Sequence, residues 1–242
     1  MLSETLARQG NWLFRRRGYL PLLLAPILAG AMLKYPSAAF LPDGPRNILC
    51  GVVVLAGLVI RGYTSGHAPP GTSGGNTAAQ MADSLNVSGS YSVVRHPLYL
   101  GNALCWLGVA MFTQSVSVVA LVVLIFWLYY ERIMMAEEAF LGERFGEAFG
   151  AWAARTPAFL PNPGSWVPPT SPFDWRNVVR REYSGIYWVI VIFSLLEFVG
   201  ASATAGGLRF EPAWVAVLAI GTGAALAIRY LRRRTRVLDL RA

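Results

Sequence analysis

The residues best suited to chemistry in this sequence lie in two short segments. The first is SVVRHPLYLGN, residues 92–102, in which Arg95, His96 and Pro97 directly precede a long apolar stretch. The second is the adjacent pair Glu137 and Glu138, on a segment whose apolar positions mostly recur at helical steps. Buried or interfacial charges cost several kcal/mol unless they are paired, so in such a position these side chains need either one another or a polar ligand.

Each segment also has a simpler interpretation that the sequence leaves open. Proline at the first turn is an ordinary start of a helix, and the arginine and histidine before it could lie among lipid headgroups. Glu137 and Glu138 could belong to a solvated helix face. Because neighbouring residues point about 100° apart on a helix, at most one of the two faces a given site squarely, while the other can pair with Arg95 or Arg144.

A metal site is not expected. His67 and His96 are the only histidines in the sequence, and neither cysteine has ligand spacing. Cys50 and Cys105 lie in separate apolar runs, where a thiol usually behaves as a small hydrophobic group. We therefore predict neither a bound metal nor a disulfide.

The composition predicts an all-α, polytopic membrane helix bundle. Of the 242 residues, 55% are hydrophobic and only 14% are charged, which is unusual for a soluble domain. The net charge of +8 comes from basic residues that lie next to apolar segments. This placement favours anionic lipid headgroups as a partner and argues against nucleic acid. We expect a single membrane domain over residues 1–242.

The apolar segments predict about six transmembrane helices. They cover residues 19–35, 47–63, 98–112, 116–130, 184–203 and 212–230. The third and fourth segments are short and closely spaced, so they are expected to form a tight helical hairpin or, alternatively, one re-entrant unit. Residues 1–17 are expected to form an interfacial helix whose Phe14 and Trp12 could face lipid. Residues 64–97 form a predicted cytosolic loop, and residues 131–183 a cytosolic helix and loop.

The distribution of basic residues predicts the orientation. With six spans and both termini inside, 18 of the 21 Lys and Arg residues fall on the cytoplasmic side, and only Lys34, Arg46 and Arg209 fall on the other. Short cytoplasmic loops normally carry this excess. The sequence therefore predicts a multi-pass protein with both termini and the site at the cytoplasmic face, and we expect the inner membrane of a bacterium.

The two segments together resemble the signature of the membrane methyltransferases that include isoprenylcysteine carboxyl methyltransferase and the phospholipid N-methyltransferases. The first half of the signature corresponds to Gly89, Tyr91, Arg95, His96, Pro97, Tyr99 and Gly101. The second half corresponds to Glu137, Glu138, Phe145, Gly146, Phe149, Trp152, Arg155 and Pro157. Both halves occur in the family's order and spacing, within residues 87–161.

The resemblance implies an enzyme that uses S-adenosylmethionine, held at the cytoplasmic face without a Rossmann domain. The cofactor-binding residues that it implies are Arg95, His96, Tyr99, Leu100, Gly101, Glu137, Glu138 and Leu160. Arg155 matches the family arginine near the methyl acceptor, and Glu137 is a candidate base if the acceptor is an amine. These two are the predicted catalytic residues.

The acceptor is left open by the sequence. We expect a membrane lipid, or a lipid-like molecule with a carboxylate, phosphate or amine headgroup, or a prenylated small molecule. The Gly/Ser/Asn-rich insertion before the signature and the two spans after it are not shared in detail with the eukaryotic isoprenylcysteine enzymes. Within residues 72–89, Asn76, Gln80 and Asp83 could read a polar headgroup, or the segment could be an ordered surface loop. Glu197 either lines the acceptor cavity or pairs within the bundle. Alternative functions are an NADPH-dependent enzyme resembling the sterol reductases and a non-enzymatic membrane scaffold.

Overall fold

The structure is a computed structural model that describes residues 2–34, 41–69, 82–235 and 237–238. In these residues the chain is helical and contains no strand. The predicted all-α class is therefore confirmed. In order, the α-helices are α1 (Leu2–Arg16), α2 (Ala25–Lys34), α3 (Asp43–His67), α4 (Ser90–Val93), α5 (Pro97–Met111), α6 (Val116–Phe145), α7 (Glu147–Arg155), α8 (Trp175–Ala205) and α9 (Pro212–Arg234).

Four of these helices, α3, α6, α8 and α9, are long and apolar enough to cross a membrane. Two shorter apolar stretches, Leu20–Lys34 and Pro97–Met111, occupy the positions of the first and third predicted spans. Leu20–Lys34 begins with a 3-10 helix, Leu20–Leu24, that contains Pro21 and runs into α2. All six predicted segments are thus helical, in agreement with a polytopic bundle.

Helix α6 explains how the predicted cytosolic helix is attached. It runs for 30 residues without interruption, so its last part, from Glu131 onward, continues the apolar part of the same helix. It ends at Phe145. The next residue, Gly146, has a φ of 52° that is accessible mainly to glycine, and α7 begins directly after it at Glu147. At its other end, residues 112–115 join α6 to α5, with Gln114 at a φ of 53°. The hairpin therefore places Pro97 and Glu138 at the same end of the bundle.

Close approach of α3 and α5 depends on glycine. A Cβ atom added to Gly57 of α3 would lie 2.5 Å from the carbonyl oxygen of Gly101 on α5. One added to Gly108 would lie 2.6 Å from Cγ2 of Val54. Without side chains at these points, the two backbones pack closely, as small residues allow in membrane helices. Both cysteines are free and buried, and the Cys105 thiol donates to the Val54 carbonyl across this contact.

Helix α1 packs on the later part of α6, and Phe14 is directed inward. A Cβ atom on Gly10 would overlap the carbonyl oxygen of Arg132, so the two helices are in close contact there. Phe14 is 5% exposed in a cluster that includes Tyr99 and Tyr130. The prediction that Phe14 faces lipid is therefore wrong. The pattern of one amphipathic helix does not reveal that another helix covers it. Trp12, by contrast, is 52% exposed.

Glu197 pairs within the bundle. Its Oε2 lies 2.6 Å from Nη2 of Arg46, at the end of the bundle opposite His96. The Arg46 guanidinium also lies 4.2 Å from the centroid of the Phe112 ring and 3.1 Å from Asp43. Of the two roles left open by the sequence, the structure shows the ion pair. Because a buried carboxylate needs a cation beside it, the pair also fixes α8 against α3.

We predict different effects on stability for two alanine substitutions on α3. Gly57→Ala should lower the free energy of unfolding by about 1–3 kcal/mol, since the new methyl group meets a backbone oxygen. Gly51→Ala is the matched control, because no atom outside its own helix lies within 4 Å of the added Cβ. It should be neutral or stabilising, as alanine favours a helix by about 0.5–1 kcal/mol. Thermal unfolding in detergent measures both, and equal midpoints would contradict the proposed packing.

Candidate functional site

The imidazole of His96 lies between the two carboxylates of α6. Its Nε2 is 2.9 Å from Oε1 of Glu138, and its Nδ1 is 3.5 Å from Oε2 of Glu137. The ring is 5% exposed. A ring nitrogen donates to a carboxylate only when it carries a hydrogen, so this arrangement favours an imidazolium that donates on both sides.

Arg95 joins three parts of the site. Its Nε donates to Oε1 of Glu138 at 2.8 Å, and its Nη1 donates to the carbonyl oxygens of Ala153 at 2.8 Å and Thr156 at 3.0 Å. These carbonyls belong to the end of α7, where the helix leaves acceptors without intrahelical partners. Arg95 therefore caps α7 and holds it against α6.

Backbone hydrogen bonds fix the loop that carries Arg95 and His96. The amides of these two residues donate to the carbonyls of Pro157 and Ala158, and the Asn162 amide donates to the Val93 carbonyl. The following residue, Pro97, ends this extended stretch and opens α5 with the φ that a first helical turn requires. The indole of Trp152 donates to the Tyr91 carbonyl at 3.0 Å. The two halves of the sequence signature are thus joined by both backbone and side chains.

A cavity of about 650 Å³ opens beside this loop. Its polar end is lined by Arg95, His96, Glu137 and Trp152, together with Ser84 and Asn86. Its other end lies between apolar side chains of the bundle, which include Leu28, Val109, Val122, Val189 and Ile192. The volume lies in the ordinary range for a small-molecule site. The cavity therefore connects a charged region to an apolar one.

Aromatic rings form one wall of the cavity. The Tyr99 ring stacks near His96, with centroids 5.6 Å apart, and lies 4.9 Å from the ring of Tyr130. Trp106 adds its edge to Tyr130 at 5.8 Å. Such a wall can hold an adenine ring by stacking, or a cation by its π face.

A buried polar network below the charged loop was not predicted from the sequence. Arg61 of α3 donates to Oε2 of Glu182 on α8 at 2.7 Å and to the side chain of Asn102 on α5. Ser65 donates to the other oxygen of Glu182, and Asn102 donates to the Tyr130 hydroxyl. The sequence indicated this network only by a charge within or beside each apolar run. It could not show the pairing, because Arg61 and Glu182 lie 121 residues apart. The network ties four helices together around the cavity.

The structure brings only part of the predicted site to the cavity. Arg95, His96, Tyr99 and Glu137 line it. Glu138 lies behind Arg95 and His96 as their shared partner. Gly101 lies at the contact with α3, where an added Cβ would be 2.5 Å from Cγ of Arg61.

Besides Glu138 and Gly101, three more predicted residues do not line the cavity, namely Leu100, Arg155 and Leu160. Leu160 is 76% exposed, and Arg155 is exposed at the end of α7. Of the headgroup candidates, Asp83 is exposed, while Asn76 and Gln80 lie outside the described residues.

The two carboxylates change how His96 titrates. Burial by itself lowers the pKa of His96, but the hydrogen bonds to Glu137 and Glu138 and their negative charges outweigh it. The net result is a pKa raised above the ordinary value of 6.5. The folded protein therefore holds this proton more tightly than the unfolded chain does.

Comparison with known proteins identifies the segment that builds most of this site. Residues 46–148 match the family model described as phospholipid methyltransferase, which confirms the resemblance found in the sequence. With the four long apolar helices, the match identifies the chain as an integral membrane protein. No solved structure matches the chain significantly.

Three curated proteins are similar to parts of the chain. The cobalt-zinc-cadmium resistance protein CzcN of Cupriavidus metallidurans is 36% identical over 49% of this chain and 57% of its own length. The nickel-cobalt-cadmium resistance protein NccN of Alcaligenes xylosoxydans is 36% identical over 35% of this chain and 39% of its own. Protein-S-isoprenylcysteine O-methyltransferase of Schizosaccharomyces pombe is 30% identical over 32% of this chain and 33% of its own. The chain thus aligns with little more than half of CzcN and with less of the other two.

We predict a pH-dependent contribution of His96 to stability. Because its pKa is raised, the contribution is fully present below about pH 6.5 and is lost as the pH rises through the raised pKa. His96→Gln should therefore lower the thermal unfolding midpoint most at about pH 5.5 and least at about pH 9. Glu143→Gln removes an exposed carboxylate from the same helix and should keep the pH profile of the wild type. If the destabilisation caused by His96→Gln grew with pH, it would contradict an imidazolium held between Glu137 and Glu138.

Proposed function

We propose that this chain, whose residues 46–148 match the phospholipid methyltransferase family, transfers a methyl group from S-adenosylmethionine to an amphiphilic acceptor. The observation that carries the proposal is the cavity itself. One end presents Glu137, His96 and Tyr99, and the other is enclosed by apolar side chains of the bundle. A polar cofactor and the apolar part of a lipid could therefore meet in one space.

The chemistry of the lining residues fits the cofactor. S-adenosylmethionine carries an ammonium, a carboxylate, a sulfonium and an adenine ring. Glu137 is the carboxylate that lines the polar end, and it would hold the ammonium. Arg95 also lines this end, and its guanidinium would face the carboxylate, while the rings of His96 and Tyr99 would contact the adenine or the sulfonium.

Glu138 would act as a positioning residue. It lies within 2.9 Å of both Arg95 and His96, so it orients two groups that line the cavity. Gly101 would act through packing, because any side chain there would displace Arg61. Roles for Leu100 and Leu160 next to the adenine, and for Arg155 beside the acceptor, stay predictions from the resemblance. These three residues do not line the cavity.

When bound, S-adenosylmethionine supplies a methyl group on a sulfonium, and transfer to a nucleophilic oxygen or nitrogen leaves a neutral thioether. The contribution of the protein is to position the acceptor and to exclude water from the reacting atoms. A carboxylate or phosphate acceptor needs no base. An amine acceptor must lose a proton, and Glu137 is the carboxylate placed to accept it.

The proposal places the polar end of the cavity at the cytoplasmic face. The excess of arginine at the ends of the spans supports this orientation. The basic helix ends suit anionic headgroups. The names of two relatives refer to metal resistance. The proposal for this chain rests on the match to the phospholipid methyltransferase family and on the cavity.

Calorimetry on the full chain in nanodiscs tests the cofactor. The wild type should bind S-adenosylhomocysteine, which keeps the ammonium, the carboxylate and the adenine. Glu137→Gln should weaken this binding by about tenfold or more, the expected loss for a charged hydrogen bond. Glu143→Gln, exposed on the same helix, should bind as the wild type does.

Transfer of radiolabelled methyl groups from S-adenosylmethionine into a host lipid extract then tests the reaction and identifies the product class. Binding of NADPH in the absence of any binding of S-adenosylhomocysteine would overturn the proposal in favour of a reductase. Binding of neither molecule would favour a scaffold.

A further inference from the structure

One wall of the cavity is a single face of α8 that changes character along its length. The residues of α8 that line the cavity are Arg181, Ser184, Gly185, Trp188, Val189 and Ile192. Their steps of three, one, three, one and three residues keep them on one side of a helix. The face begins with a guanidinium, continues through two small residues, and is apolar from Trp188 onward. An amphiphile with an anionic head would need these environments in the same order, from the charged end to the apolar end.

The 3-10 helix and α2 repeat the same order on a second wall. Arg17 comes first, directly after α1, and is followed by lining residues that are almost all apolar, including Pro21, Leu24 and Leu28. The Arg17 guanidinium lies 3.7 Å from the centroid of the Phe14 ring, which itself lines the cavity. Since α2 packs on α8, two walls that each begin with an arginine face one apolar space.

The charge of the cavity lining is strongly positive. Among the described residues that line it, four are arginines, namely Arg17, Arg61, Arg95 and Arg181, and one is a carboxylate, Glu137. Arg61 and Arg95 are held by Glu182 and Glu138. Arg17 and Arg181 also have interactions within the protein. A guanidinium has five N–H donors, so it can keep a protein partner and still donate to a ligand oxygen.

We infer that Arg181 and Arg17 hold an oxyanion, a carboxylate or a phosphate, on the methyl acceptor, whose apolar chain extends along the faces of α8 and α2. This inference rests on the proposed function and narrows its substrate class to anionic amphiphiles. It also fits the charge of the donor, because a sulfonium in a cavity with excess positive charge is favoured when the second ligand is an anion. Arg181 and Arg17 would thus determine specificity against neutral and cationic amphiphiles.

A binding experiment with four probes that share a sixteen-carbon chain tests this inference. The probes are hexadecyl phosphate, N-hexadecanoylglycine, hexadecanol and hexadecyltrimethylammonium. Each is titrated into the full chain in phosphatidylcholine nanodiscs with S-adenosylhomocysteine present. We expect at least one of the two anionic probes to bind about tenfold or more tightly than hexadecanol, and the cationic probe to bind no better than hexadecanol. The stronger of the two anionic probes identifies the oxyanion as phosphate or carboxylate.

Variants then assign the preference to the two arginines. Arg181→Gln and Arg17→Gln should each reduce the preference for the anionic probe by about tenfold, while the affinity for S-adenosylhomocysteine stays unchanged. The retained cofactor affinity shows that a variant is folded. Arg180→Gln is the matched control, since it removes the same charge one residue away, from a side chain that donates to the Leu238 carbonyl and does not line the cavity.

These experiments distinguish a failure of the inference from a failure of the proposed function. Equal binding of hexadecanol and of both anionic probes by the wild type would overturn the inference, as would an undiminished preference in Arg181→Gln and Arg17→Gln. Loss of the preference in Arg180→Gln as well would assign it to general surface charge and would also overturn it. If the wild type does not bind S-adenosylhomocysteine, the proposed function fails. An anionic preference that depends on Arg181 would still establish the amphiphile site.

Discussion

The structure depends on two carboxylates of one helical turn that hold an imidazole and a guanidinium where the chain enters the apolar bundle. Burying any one of these charges without its partners would cost several kcal/mol. Oε1 of Glu138 lies within 2.9 Å of nitrogen atoms of both Arg95 and His96, and Arg95 also caps the end of α7. This clamp of Arg95, His96, Glu137 and Glu138 therefore fixes α6, α7 and the start of α5 in one arrangement. It leaves the second carboxylate, Glu137, on the cavity.

The clamp is useful only because the helices beneath it approach closely. Gly57 and Gly101 allow α3 to lie against α5, and Arg61 then occupies the space that a side chain at position 101 would fill. From there Arg61 reaches Glu182 and Asn102. These contacts extend a polar network into the bundle, in which the charges of Arg61 and Glu182 are paired with each other. The network packs beneath the cavity. Packing and electrostatics are therefore coupled in this region.

A cavity with one charged end and one apolar end suits the proposed reaction for a physical reason. In that reaction the cofactor would be polar and would come from water, whereas the acceptor would be an amphiphile that keeps its chain in an apolar environment. A site at the boundary lets each ligand stay in the medium that it prefers while the reacting atoms meet. The basic residues on two walls would add a charge preference to selection by shape.

The sequence by itself determined the class of the fold, the apolar segments and the two halves of the signature, because hydropathy and local spacing are recorded in consecutive residues. It also indicated that Arg95, His96 and the two glutamates need partners if they are buried. It could not show which glutamate faces the cavity, that Phe14 turns inward, or that Glu197 pairs with Arg46. Those outcomes depend on which helix faces which, and Arg61 and Glu182 are 121 residues apart. Only the tertiary structure decided them, since a buried charge takes whichever partner the packing of distant helices brings within hydrogen-bonding distance.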